Sequence, residues 1–384
     1  MTLPASGSIS ISQVNTELGE PSTFSQTINW GAYRQLANVA RAPGSSYSFS
    51  NFFSKTAPGS PFPLYSNGNI GPSPYGEPYG VAVTLNGQWA YVTNVTYTSV
   101  DIYSRNTSTG TLTYNSRFSV SSWLGTLGNP TLHPNGNFLA VGGDSGSYGA
   151  VVLSVNQSTG ALSFVSTLPG YLGFNATFSP NGNSIYFAAT KSGYNLYAPF
   201  NSSTGAIGSI SYLGTGSPSQ IAVSPDNNFV YITDYNGGVI YVYNYNLTSQ
   251  VSYYGASAYP IGLAITPDGN HIYVASTGSN ALIHFTRNQS TGQLTNVGTY
   301  NTGSYPTYIS ISPDGFSLYV TSQNSNYLSA YAINVVNGSL NGPTNYGTAY
   351  APVGVTVTPD NNSVYVACYS GPNNSQPGIY GYNR

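Results

Sequence analysis

The chain has 384 residues, which suffices for one large β domain or two average domains with a sizeable buried core. Only 5% of the residues are charged, with 8 basic against 10 acidic side chains, and this balance excludes a basic surface for nucleic acid or anionic lipid. The single cysteine, Cys368, excludes an internal disulfide and lies in an apolar run typical of a buried thiol. No run of roughly 18 apolar residues and no basic-then-apolar start occurs, so we expect neither a membrane span nor a Sec signal.

Residues 1–57 are predicted to form a small, mostly helical module. Three short apolar stretches each follow Ser or Asn, and Gly19 follows the first, which is the pattern of short capped helices. A linker at 58–61 separates this module from the rest of the chain. Because so small a module buries little surface alone, its apolar residues are expected to need a partner or copies of the module; packing against the rest of the chain is the alternative.

Residues 9–19, Ile-Ser-Ile-Ser-Gln-Val-Asn-Thr-Glu-Leu-Gly, resemble a motif near the amino end of phage tail and virion proteins. Arg-Gln-Leu-Ala at 34–37 extends the resemblance, whereas Phe53-Ser-Lys stands where the motif has Tyr-Gly-Lys. The resemblance implies that the module anchors the chain to other virion proteins. The predicted anchoring residues are Ile11, Val14, Leu18, Trp30, Leu36, Phe52 and Phe53.

From residue 62 onward a tight-turn signature, Pro-Asn/Asp-Gly/Asn with Leu for Pro in the first copy, recurs seven times. Its copies are spaced 42 to 49 residues apart. A β-branched run precedes each turn, and an alternating run such as Ala90-Tyr-Val-Thr-Asn follows it, as in a hairpin. A third strand, a polar turn such as Asn-Gln-Ser-Thr-Gly and a fourth strand complete each copy. This period is typical of four-stranded propeller blades.

The fold class is therefore predicted as all-β, a seven-bladed β-propeller over residues 62–384. The last copy ends at Arg384 after its third strand, and residues 61–67 look like a fourth strand, so we expect that strand to close the ring. The Pro-Asp-Gly turn with the Tyr-Val-Thr-Asn strand resembles the Tyr-Val-Thr-Asn/lactonase-like propellers. That resemblance covers about 320 residues and implies fold rather than activity.

Catalytic chemistry is not indicated by the residues of the blades. The histidines, His133, His271 and His284, occupy different positions of the repeat, so we do not expect them to meet. The recurrent aspartates belong to turns, where Asp makes local hydrogen bonds. No metal-ligand, nucleophile or phosphate-loop spacing occurs. We predict no catalytic residue, no metal, no cofactor and no enzymatic activity.

One face of the propeller is expected to be free for binding, because the amino-terminal module leaves from the face that carries the Pro-Asp-Gly turns. The rim of the free face collects residues after each second strand and before each first strand. Tyr suits such a rim because it combines a stacking ring with a hydroxyl. The candidate ligand-binding residues are Tyr79, Asp144, Asp234, Tyr235, Tyr259, Tyr305, Tyr350 and Tyr369.

These observations together predict a bacteriophage virion component, either tail-associated or a capsid decoration. It would bind other virion proteins through residues 1–57 and display the propeller to host-surface glycans or proteins, without nucleic-acid or membrane partners. Two alternatives stay open. One is a lactonase-like hydrolase, which turnover of lactones would reveal; the other is a cell-surface or extracellular adhesion protein.

Overall fold

The computed structural model describes residues 63–71, 76–170, 173–214, 216–369 and 377–384. Within these ranges every regular element is a β-strand, and the strands form seven four-stranded antiparallel sheets. The first strand of each sheet contacts the first strand of the next, and the first strand of the seventh contacts that of the first. The predicted all-β, seven-bladed propeller is confirmed, whereas the predicted helical module lies outside the described residues.

Each blade begins at its inner strand and runs outward. Blades 1 and 2 consist of β2 (Pro78–Val83), β3 (Trp89–Asn94), β4 (Ser99–Arg105), β5 (Leu112–Ser119), β6 (Leu127–Leu132), β7 (Phe138–Gly143), β8 (Tyr148–Val155) and β9 (Leu162–Pro169). Blades 3 and 4 consist of β10 (Asn175–Phe178), β11 (Ser184–Ala189), β12 (Tyr194–Pro199), β13 (Ser211–Gly214), β14 (Pro218–Val223), β15 (Phe229–Asp234), β16 (Val239–Asn244) and β17 (Gln250–Gly255).

Blades 5 and 6 consist of β18 (Pro260–Ile265), β19 (His271–Ser276), β20 (Ala281–Arg287), β21 (Leu294–Asn301), β22 (Pro306–Ile311), β23 (Ser317–Ser322), β24 (Tyr327–Ile333) and β25 (Leu340–Gly347). Blade 7 consists of β26 (Pro352–Val357), β27 (Ser363–Cys368), β28 (Gly378–Asn383) and, as its outer strand, β1 (Tyr65–Gly71). β1 pairs antiparallel with β28, so strands from the two ends of the described chain share one blade.

The second strand of each blade is the most deeply buried, since it lies between two other strands and between two neighbouring blades. Every residue of β7, β11, β19, β23 and β27 is buried. The recurrent Tyr of this strand also joins blades, because its hydroxyl donates to a turn carbonyl of the next blade. The bonds run from Tyr91 to Gly160 (3.1 Å), from Tyr231 to Gly292 (2.9 Å), from Tyr273 to Gly338 (2.5 Å) and from Tyr365 to Gly110 (2.6 Å).

Three buried arginines bind turn aspartates of the preceding blade. The ion pairs are Arg105–Asp360 (2.7 Å), Arg287–Asp226 (2.7 Å) and Arg384–Asp314 (3.2 Å). Burial alone would raise the pKa of Asp360, but hydrogen bonds from Arg105 and Thr358 outweigh it and hold that pKa below its ordinary value. These three aspartates therefore join neighbouring blades on the face that carries the Pro-Asp-Gly turns, which we call the turn face.

The prediction that the histidines do not meet is wrong for two of them. In the β19–β20 hairpin His284 lies opposite Tyr273, one diagonal step from His271, and the His284 Nε2 and His271 Nδ1 atoms are 3.1 Å apart. Both rings are buried. Burial, reinforced by the neighbouring His271, lowers the pKa of His284 to about 4, and burial also lowers the pKa of His271. The pair is a neutral structural element between strands.

This pair predicts acid-sensitive stability. The folded-state pKa of His284 is about 4 against an ordinary value of 6.5, so between these values the unfolded chain binds more protons and acidification from pH 6.5 towards 4 destabilises the fold. We expect His284→Gln, which does not titrate, to reduce this loss by about 2 kcal/mol. Urea unfolding at pH 7 and pH 4.5 measures it. Equal losses in both proteins would contradict the prediction.

Candidate functional site

The inner strands surround a central cavity of about 180 Å³. Of the seven equivalent positions on these strands, four contribute side chains to its wall (Asn129, Asn175, Gln220 and Tyr308), and the other three are glycines (Gly80, Gly262 and Gly354). A Cβ at Gly80 would collide with the Asn129 side chain, so this glycine provides the space that the amide occupies. The cavity wall is polar and carries no charge at these positions.

Aromatic side chains cover this cavity on the face opposite the turn face, which we call the mouth face. Tyr79 stacks on Phe174 with ring centroids 5.7 Å apart and meets Tyr308 edge-on at 6.1 Å. The Tyr308 hydroxyl donates to the Tyr79 hydroxyl at 3.5 Å. Burial raises the pKa of both hydroxyls, so they stay protonated and act as neutral hydrogen-bond donors.

An ion pair lies beside this aromatic cover. Asp144 follows β7, Lys191 follows β11, and the Asp144 Oδ2 and Lys191 Nζ atoms are 2.9 Å apart. Asp144 is only 7% exposed, and its second oxygen, Oδ1, is buried without a hydrogen-bond partner among the described residues. The Asp144 charge is close enough to contribute to the raised pKa of Tyr79. A buried carboxylate oxygen without a donor is costly, and its presence suggests a binding role.

A second acidic side chain, Glu77, lies next to Tyr369 at the mouth face. Burial and a hydrogen bond to Glu77 raise the pKa of Tyr369, and Tyr369 also contributes to the raised pKa of Tyr79. Side chains from blades 1, 2, 3, 6 and 7 thus lie close together at the mouth face. We call the following six residues the mouth cluster: Glu77, Tyr79, Asp144, Lys191, Tyr308 and Tyr369.

The candidate residues of the rim fall into separate places. Tyr79, Asp144 and Tyr369 belong to the mouth cluster. Asp234 is buried and accepts backbone N–H bonds from Ser217 (3.1 Å) and Gly237 (3.0 Å), so it shapes its own loop.

The remaining rim tyrosines lie outside the mouth cluster. Tyr235 and Tyr259 have ring centroids 4.9 Å apart, and Tyr305 is hydrogen-bonded to Tyr235. Tyr350 is exposed. Ligand binding by the eight candidate rim residues stays a prediction.

Sequence reasoning did not select Lys191, Glu77 or Tyr308. The available signal was rarity, since Lys191 is the only lysine after residue 62. The described arginines are all paired with aspartates, and three of these pairs lie on the turn face.

No group of three His, Cys, Asp or Glu side chains in the described ranges could hold a metal ion. No helix in the described ranges is long and apolar enough to cross a membrane.

A family model described as Lactonase, 7-bladed beta-propeller, matches residues 254–359 of this chain. Solved structures share the fold over most of their length. A proposed 6-phosphogluconolactonase from Bacteroides fragilis is 16% identical with a TM-score of 0.63, over 72% of this chain and 86% of that one. A proposed 6-phosphogluconolactonase from Bacteroides uniformis is 20% identical with a TM-score of 0.63, over 71% and 86%.

A protein from Lactobacillus plantarum is 19% identical with a TM-score of 0.60, over 70% of this chain and 84% of that one. No curated protein matches the chain. The similarity to solved structures therefore shows a propeller fold. The family match runs from the end of β17 through blades 5 and 6 to the residues just after β26, the inner strand of blade 7.

These findings overturn the predicted function. A virion structural protein without activity is contradicted by the lactonase family match and by structural neighbours described as proposed 6-phosphogluconolactonases; nothing in the comparisons indicates a phage protein. The prediction that the chain is not an enzyme is contradicted by the same findings. The seven predicted anchoring residues lie outside the described residues, and the predicted partners and localisation are untested.

Proposed function

We propose that the mouth cluster hydrolyses the cyclic ester of a sugar lactone. The observation that carries the proposal is the Asp144 carboxylate, with one oxygen bound to Lys191 and the other buried without a donor. The family match over residues 254–359 supports the same reaction class. A carboxylate with a free acceptor position beside a cation can both activate water and stabilise charge on a reacting carbonyl.

In the proposed reaction water attacks the lactone carbonyl carbon, and Asp144 takes the proton that water loses. The negative charge that develops on the carbonyl oxygen is stabilised by the Lys191 ammonium and by the protonated hydroxyl of Tyr79. The ring C–O bond then breaks, and the departing alkoxide recovers the proton from Asp144. The product is the open hydroxy acid. The reaction needs no oxidant and no metal ion.

Turnover of a lactone by the full chain tests this proposal. Glucono-1,5-lactone is a suitable probe, and its hydrolysis is followed by base uptake in a pH-stat. We expect a rate that saturates with lactone, rises in proportion to protein and exceeds the spontaneous rate. A rate equal to that of buffer over a range of protein concentrations would contradict the proposal.

The charges of the mouth cluster favour a lactone without phosphate. Glu77 and Asp144 contribute −2 and Lys191 +1, so the cluster carries a net charge of −1, and its one cation is already paired. A phosphate group is best bound by arginine forks or several cations, which the described residues do not place here. We expect kcat/KM for glucono-1,5-lactone to exceed that for its 6-phosphate at least about tenfold. Equal or higher efficiency with the 6-phosphate would contradict this substrate class while leaving lactone hydrolysis intact.

A further inference from the structure

The boundaries between blades are filled near the turn face by two devices. In the first, an aromatic or His ring at the start of a second strand packs against a turn glycine of the next blade. These contacts are Trp89 with Gly160, Phe138 with Gly205, Phe229 with Gly292 and His271 with Gly338. In the second device, serine stands at the equivalent strand position and an arginine of the next blade reaches it. Arg105 donates to Ser363 and Arg384 to Ser317, each at 3.1 Å.

The boundary between blades 3 and 4 has neither device. The equivalent strand position is Ser184, and no arginine reaches it, because Tyr245 occupies the place of Arg105 just beyond the third strand of the blade. The facing turn at 244–249 of blade 4 also lacks the glycine of the common Asn-x-Ser-Thr-Gly turn. This boundary therefore has the serine without the arginine that accompanies it at Ser317 and Ser363, and a facing turn without glycine.

These departures leave a cavity of about 440 Å³, within the range of ligand pockets in proteins. Three tyrosines contribute to its wall. The Tyr186 and Tyr197 ring centroids are 5.4 Å apart, and Tyr197 meets Tyr245 edge-on at 6.2 Å. The Tyr245 side chain is 48% exposed. The amides of Asn181 and Asn227 also contribute to the wall and connect the two blades, since the Asn181 N–H donates to Asn227 Oδ1 at 2.9 Å.

We propose that this cavity binds a neutral saccharide. The exposed Tyr245 ring and the half-buried Tyr197 ring offer faces for the C–H surface of a sugar ring, and asparagine amides both donate to and accept from its hydroxyls. The one charged residue of the wall, Asp226, is already paired with Arg287 at 2.7 Å, so the cavity carries no net charge for an ionic ligand. The site lies near the turn face, away from the mouth cluster, and does not depend on lactone hydrolysis.

Two variants and one control test this site. Ser184→Phe places at the boundary a ring like those of Phe138 and Phe229, and so fills the cavity. Tyr245→Ala removes an exposed ring, and its exposure makes unfolding of this variant unexpected. The control is Tyr253→Ala, which truncates a tyrosine 63% exposed on the outer strand of blade 4 and absent from the cavity wall.

The full chain is screened on an array of neutral glycans, and the best-bound glycan is titrated by calorimetry. We expect wild type and Tyr253→Ala to bind with the same Kd. Ser184→Phe and Tyr245→Ala should weaken binding at least about tenfold. Absence of binding to every neutral glycan would overturn the proposal. The proposal would also be overturned if Tyr245→Ala and a correctly folded Ser184→Phe both bound the glycan with the Kd of wild type.

Discussion

Replacing Asp144 with asparagine is expected to lower kcat for lactone hydrolysis by about 10² to 10³-fold. The amide keeps the size of the carboxylate but cannot accept a proton from water, and removal of a general base has effects of this order. KM should change little, because the uncharged amide side chain still fills the same buried place. The pH-stat assay with glucono-1,5-lactone gives both constants.

The matched control is Asp268→Asn. It makes the same chemical change on the turn face, at a turn where asparagine is already found in equivalent copies such as Asn86 and Asn135. Asp268 bonds Thr266 Oγ1 and the Asn270 N–H within its own turn, and asparagine can accept the same bonds. We expect wild-type kcat from this control. Equal kcat values for wild type and Asp144→Asn would show that Asp144 is not the base.

Replacing Arg105 with methionine is expected to lower the free energy of unfolding by about 3 kcal/mol. The Arg105 side chain is fully buried, its Nη1 bonds Asp360 Oδ2 at 2.7 Å, and its Nε donates to the Tyr365 hydroxyl at 2.8 Å. These bonds hold blade 7 to blade 1, where the ring closes. Their loss leaves a partly buried Asp360 carboxylate without its cation. Urea unfolding followed by tryptophan fluorescence measures the change.

The double variant Arg105→Met with Asp360→Asn separates two causes of this loss. If the unpaired carboxylate is the main cost, the double variant should recover a large part of the lost stability, because no charge is then left without its partner. Equal destabilisation of the single and double variants would assign the loss to packing of the arginine side chain. An Arg105→Met protein as stable as wild type would contradict the role of this ion pair in ring closure.

The propeller could be predicted from sequence because its signals are local. Each turn needs residues such as Gly269, whose φ of 76° suits glycine, and each strand shows an alternation of two that depends only on its neighbours. Seven copies of one pattern then determine the number of blades. The outer strand of blade 7 could also be inferred, since the last copy lacks a fourth strand and β1 supplies it.

The mouth cluster could not be predicted in the same way, because its members are distant in sequence. Glu77, Asp144, Lys191 and Tyr369 come from loops of four blades, and only the closed ring brings these loops together. The His271–His284 pair was within reach, since the register of one hairpin places the two side chains on the same face. The sequence prediction missed this pair because it compared the positions of the histidines in the repeat. It did not consider that His271 and His284 are diagonal neighbours across one hairpin.

The blade 3–4 cavity shows what repeats offer beyond the fold. Because seven blades solve the same packing problem, a boundary that uses neither common solution stands out without any relative for comparison. Ser184 alone would mean little, since serine also occurs at 317 and 363. It gains meaning because those two serines bind arginines, whereas Ser184 faces a tyrosine-lined space.

A crystal structure of the full chain soaked with gluconate, the product of the neutral lactone, tests the central claim most directly. We predict gluconate at the mouth face, with a carboxylate oxygen within hydrogen-bond distance of Lys191 Nζ. The carboxylate carbon, which was the carbonyl carbon of the lactone, should lie beside Asp144. Gluconate bound only elsewhere on the propeller, with the mouth cluster empty at saturating concentration, would contradict the assignment of lactone hydrolysis to this site.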